Sequence, residues 1–221
     1  MERKFPWKAL STGAAALVTA DLALRPWFLH WGATKDEIKK TLPGDELCPD
    51  AASVATRALT IHAPAEEVWP WLAQIGQDRG GFYSYSWLEN LAGAQIRNAN
   101  SLLPGRLTRT VGETVWMTTP QHYGGQAFMR VAQVEPDRYL VLVSEKDYET
   151  IARGGHAREG AWAFVLEPLD EHTTRLLVRS RSAAATTPGR LLVFDPIHFI
   201  MERKMMLGIR ERAEANVGIA A

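Results

Sequence analysis

One cysteine, Cys48, stands in a chain of 221 residues. It has no partner for an internal disulfide, so nothing in the sequence requires an oxidising compartment. Within "ELCPD", and with no histidine placed near it, Cys48 reads as a small loop residue and not as a nucleophile. Charge of one sign is not in excess either. Lys and Arg total 25, Asp and Glu total 25, and the net charge is zero. A dedicated nucleic-acid binder concentrates a basic excess on one face, so no nucleic acid is expected as a partner. GxSxG, P-loop and dinucleotide fingerprints are absent. The six histidines are scattered, with no HExxH and no cysteine pair, so neither a metal nor another cofactor is expected. There is no internal repeat and no low-complexity tract.

The chain also lacks an uninterrupted apolar run of the ~20 residues that cross a bilayer. The small-residue run from Ala9 to Ala20 is shorter, and Asp21 closes it. An aspartate at mid-membrane costs about 2.5–3.5 kcal/mol on insertion scales. Arg3, Lys4 and Lys8 precede this run, and "LALRPWFLHW" follows it. A secretory signal fits the basic start and the small residues Val18-Thr19-Ala20. A helix at a membrane surface fits Arg25, Trp27 and Trp31 as interface residues. The membrane-associated helix is the expectation adopted for residues 1–31, with a helix that packs on the domain as the plain alternative. The side of the membrane and the oligomeric state stay open.

What is present is an ordinary globular mix, 46 % hydrophobic and 23 % charged, enough for one domain with a sizeable core. Residues 32–56 read as a linker, proline- and acid-rich in "TLPGDELCPDAAS". Residues 57–221 read as the domain. "TRALTIHA" alternates and predicts a strand from Arg57 to His62. "APAEEVWPWLAQIGQ" predicts a helix, with Pro64 tolerated at its start, Glu66 and Glu67 at the positive N-terminus, and Gly76 as a stop. Val68, Trp71, Leu72 and Ile75 form its apolar stripe. Pro70 should kink it.

"RGGFYSYSWLEN" follows, a glycine hinge into a second short helix. Ser84 or Ser86 caps that helix, Ser86 and Glu89 have capping-box spacing, and it ends at Gly93. Five strand-like runs come next: "GETVWMTT", "GQAFMRVAQVEP", "RYLVLVSE", "GAWAFVLEPL" and "TTRLLVRSRSA". Pro136-Asp137 and Asp170-Glu171-His172 mark turns between them. In the last run Arg175, Leu177, Arg179 and Arg181 share one parity, and Leu176 and Val178 the other. That predicts a sheet with one wet and one covered face. Asp195 as cap and Pro196 in the first turn open a long amphipathic helix. Ile197, Met201, Met205, Ile209 and Ala213 recur every four residues, broadened by Ile200 and Met206.

On these segments the body resembles the START/polyketide-cyclase/aromatic-pollen-allergen superfamily, known as SRPBCC. The residues that carry the resemblance are "RALTIHAPAEEVWPWLAQIG", "RGGFYSYSWLENLAG", "VGETVWM", "WAFVLEPLDEHTTRLLVRSR" and "HFIMERKMMLGIRERAE". They are most similar to an uncharacterised bacterial branch that also carries "RPWFLHWGAT"- and "LPGDEL"-type segments. The resemblance implies an α+β helix-grip fold, in which a curved antiparallel sheet wraps a long C-terminal helix and two short helices follow the first strand. It also implies a hydrophobic cavity between sheet and helix. It implies no particular reaction, because the superfamily spans carriers, receptors, cyclases and oxygenase domains.

Candidate site residues follow from that picture. Tyr83, Tyr85 and Trp87 carry polar tips on apolar rings. They suit a cavity mouth, or else staple the short helices to the sheet. Trp116, Met129, Trp162 and Phe164 are expected on the concave side. Met201 and Met205, with Met206, offer an adaptable wall. Plain core packing would explain any one of these. His198 and Glu202 lie one turn apart. The apolar stripe includes neither, so a solvent-facing pair is the expected reading, and a polar handle inside the cavity the alternative. The expected function is binding of a lipid-like or aromatic molecule. A cyclase or dehydratase using His198, Glu202 and a tyrosine, and a protein-binding domain with an exposed aromatic patch, remain as alternatives. "ARGGHAREG" reads as a connector loop, or as a basic flap over the cavity.

Overall fold

Strand-forming sequence in six segments builds one antiparallel sheet in the computed structural model, which describes residues 23–85, 97–119, 122–184 and 187–220. The strands are β1 (Ser53–Ile61), β2 (Thr114–Trp116), β3 (Phe128–Glu135), β4 (Tyr139–Val143), β5 (Gly160–Asp170) and β6 (Thr173–Ser182). Their spatial order is β1-β6-β5-β4-β3-β2. The last five form a meander, and β1 closes the far edge on β6 from Ser53↔Ser182 to Ile61↔Thr174. Register shifts at Val131/Gln133 and at Pro168/Asp170 mark bulges, which bend and twist the strands they interrupt.

Among the described residues five helices accompany the sheet: α1 (23–29), α2 (Lys35–Lys39), α3 (Ala65–Ala73), α4 (Glu145–Ala152) and α5 (Asp195–Ala220). The inner face of the sheet presents Leu140, Leu142, Phe164, Leu176 and Val178 to Met206, Ile209 and Ala213 of α5. Helix α3 fills the adjoining space with Val68, Trp71 and Leu72, all buried. This is the α+β helix grip that the resemblance implied. The expected second helix over Ser86–Gly93 lies outside the described residues.

Three expectations are corrected. First, the outer face of β6 is covered. Residues 32–49 fold back on it, and β1 begins at Ser53, four residues before the expected start. Arg179 donates to the carbonyls of Glu37, Ile38 and Lys40 and to the Asp45 carboxylate. It thereby satisfies carbonyls that the end of α2 leaves without intrahelical partners. Arg175 holds Glu37, and Arg181 holds the carbonyls of Cys48 and Pro49. Arginines at alternate positions are thus clamps for this segment and not a wet face. Cys48 is fully buried beneath it against Val141 and Val143, and burial pushes its thiol pKa up.

Second, the C-terminal helix starts before Asp195. Helical backbone is present from residue 188, and Arg190–Phe194 form a π turn in which the Asp195 N–H bonds the Arg190 carbonyl. The wider turn comes just before Pro196, a residue with no N–H to continue an α ladder. The buried face of α5 carries Phe199, Glu202, Met205, Met206, Ile209 and Ala213, so the last three members of the expected repeat lie in the core. A strict four-residue repeat drifts by about 40° per step on a 3.6-residue helix. Ile197, at the start of the repeat, has drifted off this face, and Ile200 lies on the opposite side; they are 50 % and 49 % exposed.

Third, α4 was not expected. Its signal is the Ser144 hydroxyl, which accepts from the Asp147 N–H and caps the helix. Asp147 in turn is buried and accepts from the N–H groups of Arg158, Glu159 and Gly160. This ties down the end of the "ARGGHAREG" loop. Among the described residues no helix is long and apolar enough to cross a membrane. Helix α1 packs on the domain through Phe28, which stacks on Phe199 at 5.9 Å; residues 1–22 lie outside the described residues.

Candidate functional site

Between the inner face of the sheet and the first turns of α5 lies a cavity near 490 Å³. That falls within the ~300–1,000 Å³ of small-ligand sites. Phe82, Met117, Met129, Met201 and Met205 provide its apolar wall. Methionine is unbranched and polarizable, so such a wall adapts to irregular shapes.

One end of the cavity is polar. Strand alternation turns Arg57 of β1 and Ser180 of β6 inward, and Trp162 pairs with Ser180 in the register. Glu202 reaches the same point from the buried face of α5. Arg57 and Glu202 form an ion pair, each side chain 1 % exposed. The Arg57 Nε–H also donates to the Phe28 carbonyl at 2.8 Å, and its guanidinium lies over the Phe199 ring at 5.3 Å. Trp162 Nε1–H donates to Glu202 Oε1 at 2.7 Å, and the Ser180 hydroxyl approaches the same oxygen at 3.4 Å.

His198 lines the cavity with its Nε2 4.0 Å from Glu202 Oε1. Its ring stacks on Phe194 at 5.5 Å and faces Trp162 at 6.2 Å. The 30 % exposure of its side chain is exposure within a concave site. Burial holds its pKa below the usual histidine range; Glu202 opposes that shift and Arg57 reinforces it. The solvent-facing reading of the pair is therefore overturned. Glu202 lies among the core residues of α5, and His198 points into the hollow.

The rings of "RGGFYSYSWLEN" divide. Tyr83 does not reach the cavity. It adopts a left-handed backbone with φ of 55°, its ring meets Trp71 edge-on at 5.9 Å, and its hydroxyl donates to the Trp71 carbonyl at 3.0 Å. Burial drives its phenol pKa well up. The flanking Phe82 and Ser84 do line the cavity, and Phe82 stacks on Trp162 at 6.2 Å. The Tyr83 ring and the side chains of its two neighbours thus lie on opposite sides of this stretch. Helix α5 passes close behind, at Gly208. A Cβ there would come within 2.6 Å of the Tyr83 carbonyl oxygen. Tyr85 is half-buried and outside the lining. Trp87 lies outside the described residues.

Of the sheet residues expected inside, Trp162 and Met129 line the cavity, as do Met201 and Met205 of α5. Phe164 is fully buried behind Trp162, ring to ring at 4.7 Å. Trp116 faces the other way. Val115 pairs with Met129, which lines the cavity, so Trp116 and its partner Phe128 share the opposite side; their rings meet at 5.3 Å.

Arg57, Ser180, Phe82 and Ser84 were missed from sequence. Arg57 carried a readable signal, because it keeps the parity of Leu59 and Ile61, both core residues. A charged residue in phase with the core is a candidate site group.

No protein-family model matches the sequence, and no curated protein matches it. Solved structures do. The Aha1 dimer from Colwellia psychrerythraea is 12 % identical, with 73 % of this chain and 96 % of that one covered and a TM-score of 0.41. A polyketide-cyclase-like protein from Corynebacterium glutamicum is 18 % identical, with coverage of 75 % and 83 % and a TM-score of 0.31. A conserved protein of unknown function from Enterococcus faecalis is 13 % identical, with coverage of 72 % and 69 % and a TM-score of 0.40. The helix grip of this chain rests on its own strand order and register.

Proposed function

We propose that this protein binds an apolar or amphipathic small molecule between its sheet and α5, at a membrane surface. The observation that carries the reading is the cavity itself: a methionine- and aromatic-lined hollow that ends in the buried Arg57–Glu202 ion pair. Native mass spectrometry of the gently purified protein is expected to show a co-purified small molecule, absent from Met129→Trp, in which the new ring occupies the hollow. Protein that carries no ligand and takes up no neutral dye such as N-phenyl-1-naphthylamine would contradict the reading.

A lipid surface is the proposed neighbour because of what surrounds the opening. Leu24 and Trp27 of α1, and Ile197 and Ile200 of α5, are exposed. Arg25 and Asp195 tie the two helices together at 2.5 Å. Leu29 and Phe194, from the same two stretches of chain, line the cavity. The patch continues in sequence into the run Ala9–Ala20, with Arg3, Lys4 and Lys8 ahead of it to meet anionic headgroups. The protein is expected to float with vesicles containing anionic phospholipid, and Trp27→Ser with Ile200→Ser to reduce the bound fraction several-fold. Self-association without flotation would assign the patch to a second copy instead.

Proton-transfer chemistry of the cyclase type is the second reading, favoured by the inward direction of His198. Against it stand the engagement of Glu202 by Arg57 and the position of Tyr83 in the core. A cyclase would lose turnover in His198→Ala while still binding its substrate.

A further inference from the structure

We propose that the cavity selects molecules whose polar end is uncharged and carries its own O–H or N–H, such as alcohols, phenols and primary amides, over carboxylates and phosphates with the same apolar body. This rests on the reading that the cavity holds a small molecule, and it names the class.

A buried arginine at the end of an apolar cavity is ordinarily an anion receptor. Here that role is already filled. Glu202 Oε2 takes the Arg57 guanidinium, and the Phe28 carbonyl takes its Nε–H. Around the whole lining the three arginines, Arg57, Arg181 and Arg190, equal in number the three carboxylates, Glu159, Asp195 and Glu202. Arg190 lies 3.5 Å from Asp195, and the Arg181 guanidinium is spent on the carbonyls of Cys48 and Pro49. The imidazole of His198, held neutral by burial, adds no positive charge at pH 7. At the His198–Glu202 end a ligand carboxylate would give up its hydration, find Arg57 already paired, and stand beside the Glu202 carboxylate.

The hydrogen-bonding geometry selects in the same direction. His198 Nε2 and Glu202 Oε1 are 4.0 Å apart, too far to bond each other. An oxygen or nitrogen placed ~2.8 Å from each has normal hydrogen-bond distances to both. Toward Glu202 it must donate, because an ionised carboxylate only accepts. A hydroxyl donates its one O–H there and accepts from the imidazole N–H, whereas an amide NH2 can donate to both. A ligand carboxylate or phosphate dianion has no proton to give, and an ether or ketone has none either. Ser84, Ser144 and Ser180 add uncharged hydroxyls to the same lining.

The test uses delipidated full-length protein at pH 8, with binding followed by calorimetry for 2-naphthol, 2-naphthoate, 2-methoxynaphthalene and 1-dodecanol against dodecanoate. Each hydroxyl probe is expected to bind at least tenfold more tightly than its carboxylate, and naphthol more tightly than its methyl ether. In Glu202→Gln, Arg57 loses its counter-charge, and the naphthoate-to-naphthol affinity ratio is expected to rise at least tenfold. Circular dichroism checks that this variant folds, and if it does not, the wild-type ratios decide. Carboxylates binding as tightly as hydroxyls in the wild type, or the ether binding as tightly as naphthol, overturns the selectivity while leaving the cavity reading intact. Failure of all five probes to bind overturns both.

Discussion

Arg57→Ala is expected to cost about 3–5 kcal/mol of folding free energy, the cost of leaving one member of a buried ion pair alone. For a chain of this size that lowers Tm by roughly 10 °C. Glu202 would keep Trp162 and Ser180 as donors, but its charge would have no counter-ion within the core. Glu202→Ala is expected to cost a similar amount from the other side, because Arg57 is also 1 % exposed. The double replacement Arg57→Met with Glu202→Leu should recover most of the loss, since two apolar side chains of comparable volume need neither hydration nor a partner. Chemical denaturation of all four proteins compares the single losses with the recovery in the double replacement. Single variants that each lose less than about 1 kcal/mol would mean that water reaches the pair and that the polar end is not sealed.

Arg179→Ala is expected to loosen the opposite face without touching the cavity. Arg179 is buried and bonds Thr56, Asp45 and three carbonyls near the end of α2. Its loss removes several charge-assisted bonds at once and is expected to cost about 3 kcal/mol or more. Amide exchange should accelerate first at Lys40, Asp45 and Cys48, whose N–H groups bond within this segment, while ligand affinity stays near the wild-type value. Arg179→Lys is expected to rescue little, because one ammonium cannot span acceptors held by a planar fork. Uniform acceleration across the whole chain would show that residues 32–49 are part of the cooperative core instead of a clamped layer.

The two variants also show where sequence reasoning works and where it stops. Strand order, turn positions and the long final helix are local matters. Alternation, proline and glycine placement, and a repeating apolar face gave the elements and their order along the chain, and the resemblance implied the helix grip. The site did not follow by the same route. Arginines 175, 179 and 181 have the parity of a solvated face, yet they are covered, because a segment more than a hundred residues earlier folds onto them. Glu202 breaks the apolar stripe of α5, yet it sits on the helix's buried side, because Arg57 waits on a strand that closes the far edge of the sheet. Tyr83 and Phe82 are neighbours of like chemistry, yet one packs against Trp71 in the core and the other lines the cavity.

By itself, then, the chain determined its periodic elements and their order, since those depend on side-chain spacing over a few residues. Which polar groups end up inside was decided by tertiary structure alone. Burial of a charge depends on a partner brought from elsewhere in the chain, and no local pattern announces that partner.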